Sequence, residues 1–213
     1  MKIDIWSDIM CPYCYVGKRN LSLALKELDL DKEAEIVYHS FELNPKAKSE
    51  GERDTMTYLI EEYGVTTEQA QKMLDRIIGM GKAAGLELNF DTVIQTNTFN
   101  AHRLIHFSKR YNKELETVEA LFKATFIDSL NVGDIQILGD IGNEVGLNRE
   151  EVIDMLKTDE FFSEVNNDKY KAVELGINSV PYFVVNDKYA VPGAQPVKVF
   201  MEVFKKANED KES

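Results

Sequence analysis

The chain has 213 residues, 44% of them hydrophobic, and a formal net charge of −12. This length and hydrophobic content allow a substantial buried core, in one domain or in a domain that carries a large insertion. The acidic balance disfavours sequence-independent binding to nucleic acid and to anionic membranes, which depends on clustered Lys and Arg. No apolar stretch reaches the length of a membrane span, and the first residues lack the features of a secretory signal. We therefore predict a cytoplasmic protein with neither nucleic-acid nor membrane partners.

The first elements of the chain predict a β-α-β unit. Residues 2–7 alternate polar and apolar side chains and include β-branched and aromatic types, which is typical of a strand. Pro12 stands where a helix begins, and apolar residues recur at helical spacing as far as Leu28. Residues 35–43 predict a second strand. Because a helix connects the two strands, we expect them to be parallel.

The only two cysteines of the chain, Cys11 and Cys14, lie at the predicted junction between the first strand and the first helix. A cysteine at a helix N-terminus faces unpaired backbone N–H groups and the positive end of the helix dipole, which favour its thiolate. The i, i+3 spacing keeps both sulfurs on one side of the helix, and in a reducing cytosol such a pair is more often catalytic than structural. We predict Cys11 as the nucleophile and Cys14 as the resolving cysteine, with no cofactor other than their redox-active disulfide.

Two structural roles compete with this redox role. A zinc site needs four ligands, so His102 and His106, an i, i+4 pair on one predicted helix, would have to complete it from a distant segment. Two histidines alone are not a site, and we predict no bound metal. Alternatively, both cysteines are inert core residues. Pro12, which lies between them at a helix start, disfavours that role.

Helix signals dominate residues 46–176. After the charged run 46–53, predicted to be a linker, capping residues and C-terminal glycines mark a succession of helices. No sequence period links these helices, which argues against a repeat array. The helices are predicted to begin at or directly after Asp54, Thr66, Asn97, Glu116, Asp134, Asn148 and Asp159.

Strand signals return after Gly176. Residues 182–186 are strongly β-prone, Asn186-Asp187 is a plausible turn, and residues 189–191 begin a return strand, which together predict a hairpin. Gln195-Pro196 then opens a final helix.

The order of elements predicts an α/β fold with an interruption. The order is β-α-β, then a large all-helical insertion, then β-β-α. We therefore predict one domain formed by residues 1–45 and 177–213, and a helical insertion domain formed by residues 46–176.

Three motifs, in this order along the chain, resemble the DsbA family of thioredoxin-fold oxidoreductases, and its FrnE-like branch in particular. They are SDIMCPYCYVGK at 7–18, NTFNAHRL at 97–104, and a segment that runs from PYF at 181–183 to GAQ at 193–195. The branch has SDxxCPWCYxGK, NTxxAHRL and PxFxxxxxYxxxGAQ at these places. The resemblance spans nearly the whole chain and implies a thioredoxin fold that carries the helical insertion.

The resemblance also implies a substrate site. Val180-Pro181 would be the cis-proline loop beside the cysteines, and the backbone of Val180 an edge to which an extended substrate segment adds a strand. Without the resemblance, Pro181 would be an ordinary proline at the start of a strand. Pro12 and Tyr13, between the cysteines, would contact the substrate, which is a protein thiol or disulfide or a small thiol such as glutathione.

Tyr13 departs from the family pattern. The FrnE-like proteins usually have tryptophan at this position, and the periplasmic oxidants have histidine, whose donor groups help to hold the thiolate. Because Tyr13 has no cationic form, we expect a less oxidising disulfide than in the periplasmic proteins.

Two carboxylates near the motif are candidates for moving protons. Thioredoxins place a buried acid six residues before the first cysteine, where this chain has Ile5. Asp4 lies seven residues before it and would serve as a proton relay only if a loop irregularity absorbs the difference, because one residue changes the face of a strand. Otherwise Asp4 is a strand-edge or surface carboxylate. Asp8 is expected to be a solvated loop acid.

Asn97 and His102, within the second motif, are candidates to face the groove opposite the cysteines and to bind substrate. For both residues a packed or capping role is the alternative.

Two other functions are compatible with the same scaffold. The glutathione-dependent hydroxychromene-carboxylate isomerases and kappa-class transferases use a serine at the first cysteine position, so a complete Cys-X-X-Cys pair favours dithiol exchange. A non-enzymatic adaptor would bind client proteins through its helical domain and need neither cysteine. The direction of electron flow depends on the redox partner, and both a monomer and a homodimer fit the sequence.

Overall fold

The alternating residues at the start of the chain form a central strand of a mixed sheet. The computed structural model describes residues 1–49, 51 and 54–210. Within these residues the strands are β1 (Lys2–Ser7), β2 (Glu35–Ser40), β3 (Tyr182–Val185) and β4 (Tyr189–Pro192). The helices are α1 (Pro12–Glu27), α2 (Thr55–Tyr63), α3 (Thr67–Ala83), α4 (Phe99–Lys109), α5 (Glu114–Phe126), α6 (Ile135–Glu144), α7 (Arg149–Leu156), α8 (Phe162–Glu174) and α9 (Val197–Glu209). None of the described helices is both long enough and apolar enough to cross a membrane.

The sheet has the strand order β2-β1-β3-β4. β1 pairs with β2 in parallel along its whole length, and with β3 in antiparallel orientation. β3 and β4 form an antiparallel hairpin whose turn residues, Asn186 and Asp187, have φ angles of 51° and 54°. They are the central residues of a tight turn in which the Lys188 amide donates to the Val185 carbonyl at 3.1 Å, and a left-handed conformation at both positions defines this type of turn. The predicted α/β thioredoxin fold, with its β-α-β and β-β-α parts, is confirmed.

The two faces of the sheet bury different elements. On one face Ile3 and Ile5 of β1 belong to the main hydrophobic core, together with residues of α1 and with Phe200 of α9. On the other face Trp6 packs with Ala172 of α8. Successive side chains of a strand point to opposite faces, so the alternation in β1 determines which residues meet α1 and which meet α8.

β2 is an edge strand whose backbone is covered by side chains of the helical segment. Glu114 accepts a hydrogen bond from the Tyr38 amide at 2.7 Å, and Lys109 donates to the Tyr38 carbonyl at 2.7 Å. Asp168 accepts a hydrogen bond from the Ser40 amide at 2.9 Å. These contacts satisfy backbone groups that an open edge would present to another strand. They also hold α4, α5 and α8 against the sheet.

Capping hydrogen bonds confirm several predicted helix starts. In each case the side chain accepts a hydrogen bond from a backbone N–H of the first turn, which would otherwise have no helical partner. At Thr66 the side chain of Gln69 returns the bond and completes a capping box. The residues that cap in this way are Asp54, Thr66, Asp134 and Asn148.

Other boundaries differ from the prediction. α8 begins at Phe162 and not at Asp159, because Phe161 takes the left-handed conformation with a φ of 64° and interrupts any earlier helix. α5 begins at Glu114 and not at Glu116. Both differences lie at helix ends, where tertiary packing competes most effectively with local preference.

All the helices from α2 to α8 lie between β2 and β3 in the sequence, where the helical insertion was predicted. The division into domains at residues 46 and 176 stays a prediction. The predicted linker 46–53 and the final segment 177–213 each lie partly outside the described residues.

Candidate active site

The cysteine pair lies where β1 gives way to α1. Cys11 is the N-cap residue of α1, with φ −95° and ψ 107°, and Pro12 occupies the first helical position. The Cys14 amide donates to the Cys11 carbonyl at 2.9 Å, and the Cys11 amide donates to the Asp8 carbonyl at 3.1 Å. Both cysteines are free thiols and almost fully buried, with 3% and 2% of their surface exposed. The predicted position of the pair, at a strand-to-helix junction, is confirmed.

Cys14 is held in its protonated form. Burial, followed by the neighbouring Cys11 sulfur, raises the pKa of the Cys14 thiol well above its ordinary value. The Ser7 hydroxyl and the Asp8 backbone form hydrogen bonds that lower this pKa, but they offset only part of the rise. Because the thiolate is the nucleophile in disulfide exchange, Cys14 has to lose a proton before it can attack.

The loop before β3 approaches Cys11 from a distant part of the chain. The Val180–Pro181 peptide bond is cis. The Val180 carbonyl accepts a hydrogen bond from Cys11 Sγ at 3.6 Å, although the two residues are 169 positions apart. Gly17 of α1 makes this approach feasible, since a Cβ atom at residue 17 would lie only 3.0 Å from Pro181 Cγ and from Phe183 Cζ. The structure thus brings Val180 and Pro181 to the cysteines.

A cavity of about 220 Å³ opens beside Cys11, between the α/β part of the molecule and the helical segment. Cys11, Pro12 and Tyr13 line the cavity on the side of the cysteines. Much of the wall is apolar and comes from Met10, Leu43, Ala47, Leu59, Met73, Leu74, Ile77, Phe90 and Phe126. Polar groups come from Asp8, Asn44, Lys48, Thr55, Tyr58, Tyr63, Gln95, Thr96 and Thr98. An apolar enclosure with a few polar groups is typical of a site for a small organic group or a single large side chain.

Tyr58 and Tyr63 form an aromatic corner of this cavity. Their rings meet edge to face, with centroids 6.2 Å apart. Burial, followed by the nearby Tyr63, raises the pKa of Tyr58 to about 12. Burial also raises the pKa of Tyr63 above its ordinary value. Both residues therefore present neutral hydroxyl groups near Cys11 at neutral pH.

Asn97 and His102 do not line the cavity. Asn97 accepts a hydrogen bond from the Phe99 amide at 2.9 Å and donates to the Pro45 carbonyl at 3.3 Å, so it caps the start of α4. His102 is packed inside the molecule with 2% of its surface exposed. The prediction that these residues face the groove is therefore corrected in favour of the capping and packed roles, because the side chains of Thr96 and Thr98 occupy that wall.

Asp8 is buried and belongs to the site, so the expectation of a solvated loop acid is wrong. Its side chain accepts hydrogen bonds from the Thr98 hydroxyl at 2.8 Å and from the Leu43 amide at 2.7 Å. β2 ends at Ser40, short of the predicted residue 43, and the Leu43 amide bonds Asp8 instead of a neighbouring strand. Asp8 is 1% exposed, so the hydrogen bonds to its carboxyl group come from protein donors. Two sequence signals pointed to Asp8: its position three residues before Cys11, and its place in the motif SDIMCPYCYVGK.

Asp4 lies on the sheet face opposite the cysteines, so the proton-relay prediction is corrected. Its carboxylate pairs with Lys2 at 2.8 Å and with His39 at 2.7 Å. Burial raises the pKa of Asp4, but the hydrogen bonds from Lys2 and His39 outweigh it and hold the pKa below its ordinary value. The alternative of a surface carboxylate is also wrong, because Asp4 is only 3% exposed. No irregularity in β1 moves Asp4 to the face of Ile5, since β1 pairs with β2 without interruption.

His106 does not join the cysteines either. Its Nε2 atom lies 3.0 Å from Asp168 Oδ2 and 3.2 Å from the Ser40 hydroxyl. Among the residues that the structure describes, no three His, Cys, Asp or Glu side chains gather where they could hold a metal ion. The zinc alternative therefore finds no ligand set in that part of the chain.

Comparisons with known proteins agree with this architecture. Residues 2–205 match the family described as DSBA-like thioredoxin domain. The chain is 32% identical over 213 residues to the uncharacterized protein YwbO of Bacillus subtilis (strain 168), with 99% of this chain and 96% of that protein covered.

Two solved structures show the same fold. The probable DsbA oxidoreductase SCO1869 from Streptomyces coelicolor has a TM-score of 0.92 and 34% identity, covering 97% of this chain and 89% of that chain. The cytosolic disulfide reductase DsbM from Pseudomonas aeruginosa with GSH has a TM-score of 0.69 and 11% identity, covering 98% of this chain and 100% of that chain. The last likeness concerns the fold alone. Because the family match extends over nearly the whole chain, this protein belongs to the DSBA-like thioredoxin family.

Proposed function

We propose that the protein is a thiol–disulfide oxidoreductase in which Cys11 is the nucleophile and Cys14 resolves. The observation that carries the proposal is the position of the Cys11 sulfur, which lies at the N-terminus of α1, against the Val180 carbonyl and at the wall of the cavity. The cavity gives a substrate access to this sulfur. The likeness to a probable DsbA oxidoreductase at 34% identity supports a redox function.

The proposed exchange proceeds in two displacement steps. The Cys11 thiolate attacks a substrate disulfide, the bond between the two substrate sulfurs breaks, and one substrate thiolate leaves. Cys14, once deprotonated, then attacks the Cys11 sulfur, which releases the second substrate thiolate and closes the Cys11–Cys14 disulfide. Two electrons pass from the cysteine pair to the substrate. The reverse sequence oxidises a substrate dithiol, and the redox partner sets the direction.

The proposed substrates are protein thiols or disulfides and small thiols such as glutathione. Pro12 and Tyr13 line the cavity beside Cys11, which supports a substrate-contacting role for both. The Val180 backbone lies beside the Cys11 sulfur, where an extended peptide could add as a strand. The fold shared with DsbM, which was solved with GSH, supports glutathione as a candidate. We propose that the protein acts in the cytoplasm.

The test is a redox titration with matched cysteine variants. The oxidised protein is equilibrated with graded ratios of reduced to oxidised glutathione, and the Cys11–Cys14 bond is followed by thiol labelling and mass spectrometry. We expect a reversible two-electron transition, no exchange in Cys11→Ser, and a long-lived mixed disulfide on Cys11 in Cys14→Ser. The proposal fails if no reversible disulfide forms or if Cys11→Ser keeps full activity.

The same variants separate the two other functions. Glutathione conjugation or isomerisation that survives Cys14→Ser would point to a glutathione-dependent isomerase or transferase. Client binding that survives Cys11→Ser but is lost on substitution of the helical segment would point to an adaptor. Identification of proteins trapped on Cys11 in the Cys14→Ser variant would name the substrates if the redox proposal holds.

A further inference from the structure

The buried thiol of Cys14 needs a proton acceptor, and the predicted one, Asp4, lies on the opposite face of the sheet. A small second cavity of about 10 Å³ lies near the Cys14 side of the sheet, with room for about one water molecule. The Ser7 hydroxyl, which is hydrogen-bonded to the Cys14 sulfur, lines this cavity. The other residues that line it are Ile9, Tyr38, His39, Ser40, His102 and Ile105.

His102 is the residue of this cavity that has a buried ring nitrogen without a hydrogen-bond partner in the described part of the chain. Its side chain is 2% exposed, and its Nε2 atom has no hydrogen-bond partner among the described residues. A buried nitrogen without a partner costs free energy, so its retention calls for an explanation. Nε2 lies 3.4 Å from the Asp8 carboxylate. A proton accepted at Nε2 would therefore place a positive ring beside a buried negative charge.

The other titratable groups that face this cavity are already engaged. Burial raises the pKa of Tyr38 well above its ordinary value, so Tyr38 keeps its own proton. Both ring nitrogens of His39 lie at carboxylates, Nδ1 at Asp168 and Nε2 at Asp4. Asp8 lies beside His102 but outside the lining of this cavity, and it already accepts hydrogen bonds from the Thr98 hydroxyl and the Leu43 amide.

We propose that His102 accepts the proton of Cys14 through the Ser7 hydroxyl and the small cavity, while Asp8 stabilises the positive ring that results. This inference rests on the proposed oxidoreductase function. His102 acts through Ser7 and does not touch the reacting sulfurs, so it is a positioning residue for the proton and not a catalytic residue.

The proton and the electrons balance in this step. The Cys14 proton passes to Ser7 Oγ as the Ser7 proton passes across the cavity to His102 Nε2. The Cys14 thiolate attacks Cys11 Sγ, a Cys11–Cys14 bond forms, and the bond between Cys11 and the substrate sulfur breaks. The substrate leaves as a thiolate with the electron pair of that bond. In the reverse direction His102 returns the proton to Cys14.

The two steps can be timed separately with 5,5′-dithiobis(2-nitrobenzoic acid). Attack by Cys11 on this disulfide releases one thionitrobenzoate anion, and resolution by Cys14 releases a second, so stopped-flow absorbance shows two phases. We expect His102→Gln to slow the second phase about a hundredfold at neutral pH and to leave the first phase unchanged. Ser7→Ala should slow the same phase. His106→Gln, a buried histidine one turn further along α4 with its Nε2 at Asp168, is the matched control and should change neither phase.

A pH profile distinguishes proton transfer from simple distortion. In His102→Gln the second phase should rise with hydroxide concentration and reach the parent rate at high pH, where solvent removes the Cys14 proton. A thermal melt checks that each variant folds. If His102→Gln does not fold, the rate of the second phase in Ser7→Ala tests the proton path. An unchanged second phase in a folded His102→Gln and in Ser7→Ala, or an equal loss in both phases, would overturn this inference. If the parent protein releases only one anion, Cys14 does not resolve, and the proposed function itself is wrong.

Discussion

The two faces of the sheet each carry a buried polar cluster, and the clusters differ in how completely their groups are paired. On the α8 face His39 bridges Asp4 at 2.7 Å and Asp168 at 2.9 Å, and His106 lies 3.0 Å from the same Asp168. On the cysteine face the Cys14 thiol is held protonated, and His102 Nε2 has no hydrogen-bond partner among the described residues. A paired network stabilises one arrangement of the chain, whereas a titratable group without a partner is available for proton transfer.

Asp168 is the centre of the α8-face cluster. It lies on α8 and accepts hydrogen bonds from His39 and Ser40 of β2 and from His106 of α4. Burial raises the pKa of Asp168, but these hydrogen bonds outweigh it and hold the pKa well below its ordinary value. The carboxylate thereby joins the helical segment to the sheet. Trp6, the only tryptophan of the chain, reports on this junction because its ring stacks on His39 at a centroid distance of 4.4 Å.

The largest effect should come from breaking this junction. Asp168→Ala leaves two histidines and a backbone amide without their acceptor, and we expect a loss of about 3–5 kcal/mol of unfolding free energy. Urea unfolding followed by Trp6 fluorescence measures it. Asp154→Ala, at an exposed carboxylate, is the control and should cost less than about 0.5 kcal/mol. Equal costs at the two positions would refute the structural role of the cluster.

Acid should weaken the same junction. Because the pKa of Asp168 is lowered in the folded protein, its contribution is fully present above the unfolded value of about 3.9 and is lost as pH falls through that value and below. We expect this part of the loss to be on the order of 2–3 kcal/mol. Unfolding free energies measured from neutral pH to about pH 2 test this, since the folded pKa lies far below the unfolded one, and the acid slope should be shallower in Asp168→Asn. An identical slope in the variant would contradict the assignment.

A third change addresses the cysteine face. Gly17→Val places side-chain atoms where Pro181 and Phe183 lie, so we expect a loss of about 1–3 kcal/mol and slower exchange at Cys11 as the Val180–Pro181 loop is displaced. Denaturant unfolding and the first anion-release phase measure the two effects. Gly79→Val is the matched control, since a Cβ there meets no atom within 4 Å. We expect Gly17→Val to lose more stability than Gly79→Val and to slow the first phase more. Equal effects of the two substitutions would contradict the close approach of the loop to α1.

The smallest effect is expected at the rim of the larger cavity. Tyr63 is 54% exposed and lines that cavity, so Tyr63→Ala should slow exchange with an aromatic disulfide by about two- to tenfold. Stability should change by less than about 0.5 kcal/mol. Tyr170→Ala removes a tyrosine that is 70% exposed and does not line the cavity. If both variants lose the same activity, the cavity is not where the aromatic substrate binds.

Local patterns predicted much of the fold. The helix start at Pro12, the caps at Thr66 and Asn148 and the hairpin turn at Asn186-Asp187 depend on residues close together in sequence, and each has the predicted conformation. The start of α8 was missed because nothing local at Asp159 showed that Phe161 would take a left-handed conformation.

The candidate site was only partly predictable for the same reason. The strand period does place Asp4 and Ile5 on opposite faces, but it does not say which face meets the cysteines. From the sequence alone Asp8 is predicted to be a loop acid. Its hydrogen-bond donors, the Leu43 amide and the Thr98 hydroxyl, lie 35 and 90 positions away in the sequence and meet it only in the folded protein. Burial of that carboxylate is a property of the packed molecule.

By itself the sequence determined that two cysteines stand at a helix N-terminus, because the strand alternation, Pro12 and the i, i+3 spacing are encoded within the first 28 residues. The tertiary structure alone decided what surrounds them. The Val180 carbonyl lies 169 positions from Cys11, and His102 approaches Asp8 from another element of the fold. Such contacts arise when distant segments bury apolar surface together, and no local period records which polar groups that packing leaves side by side.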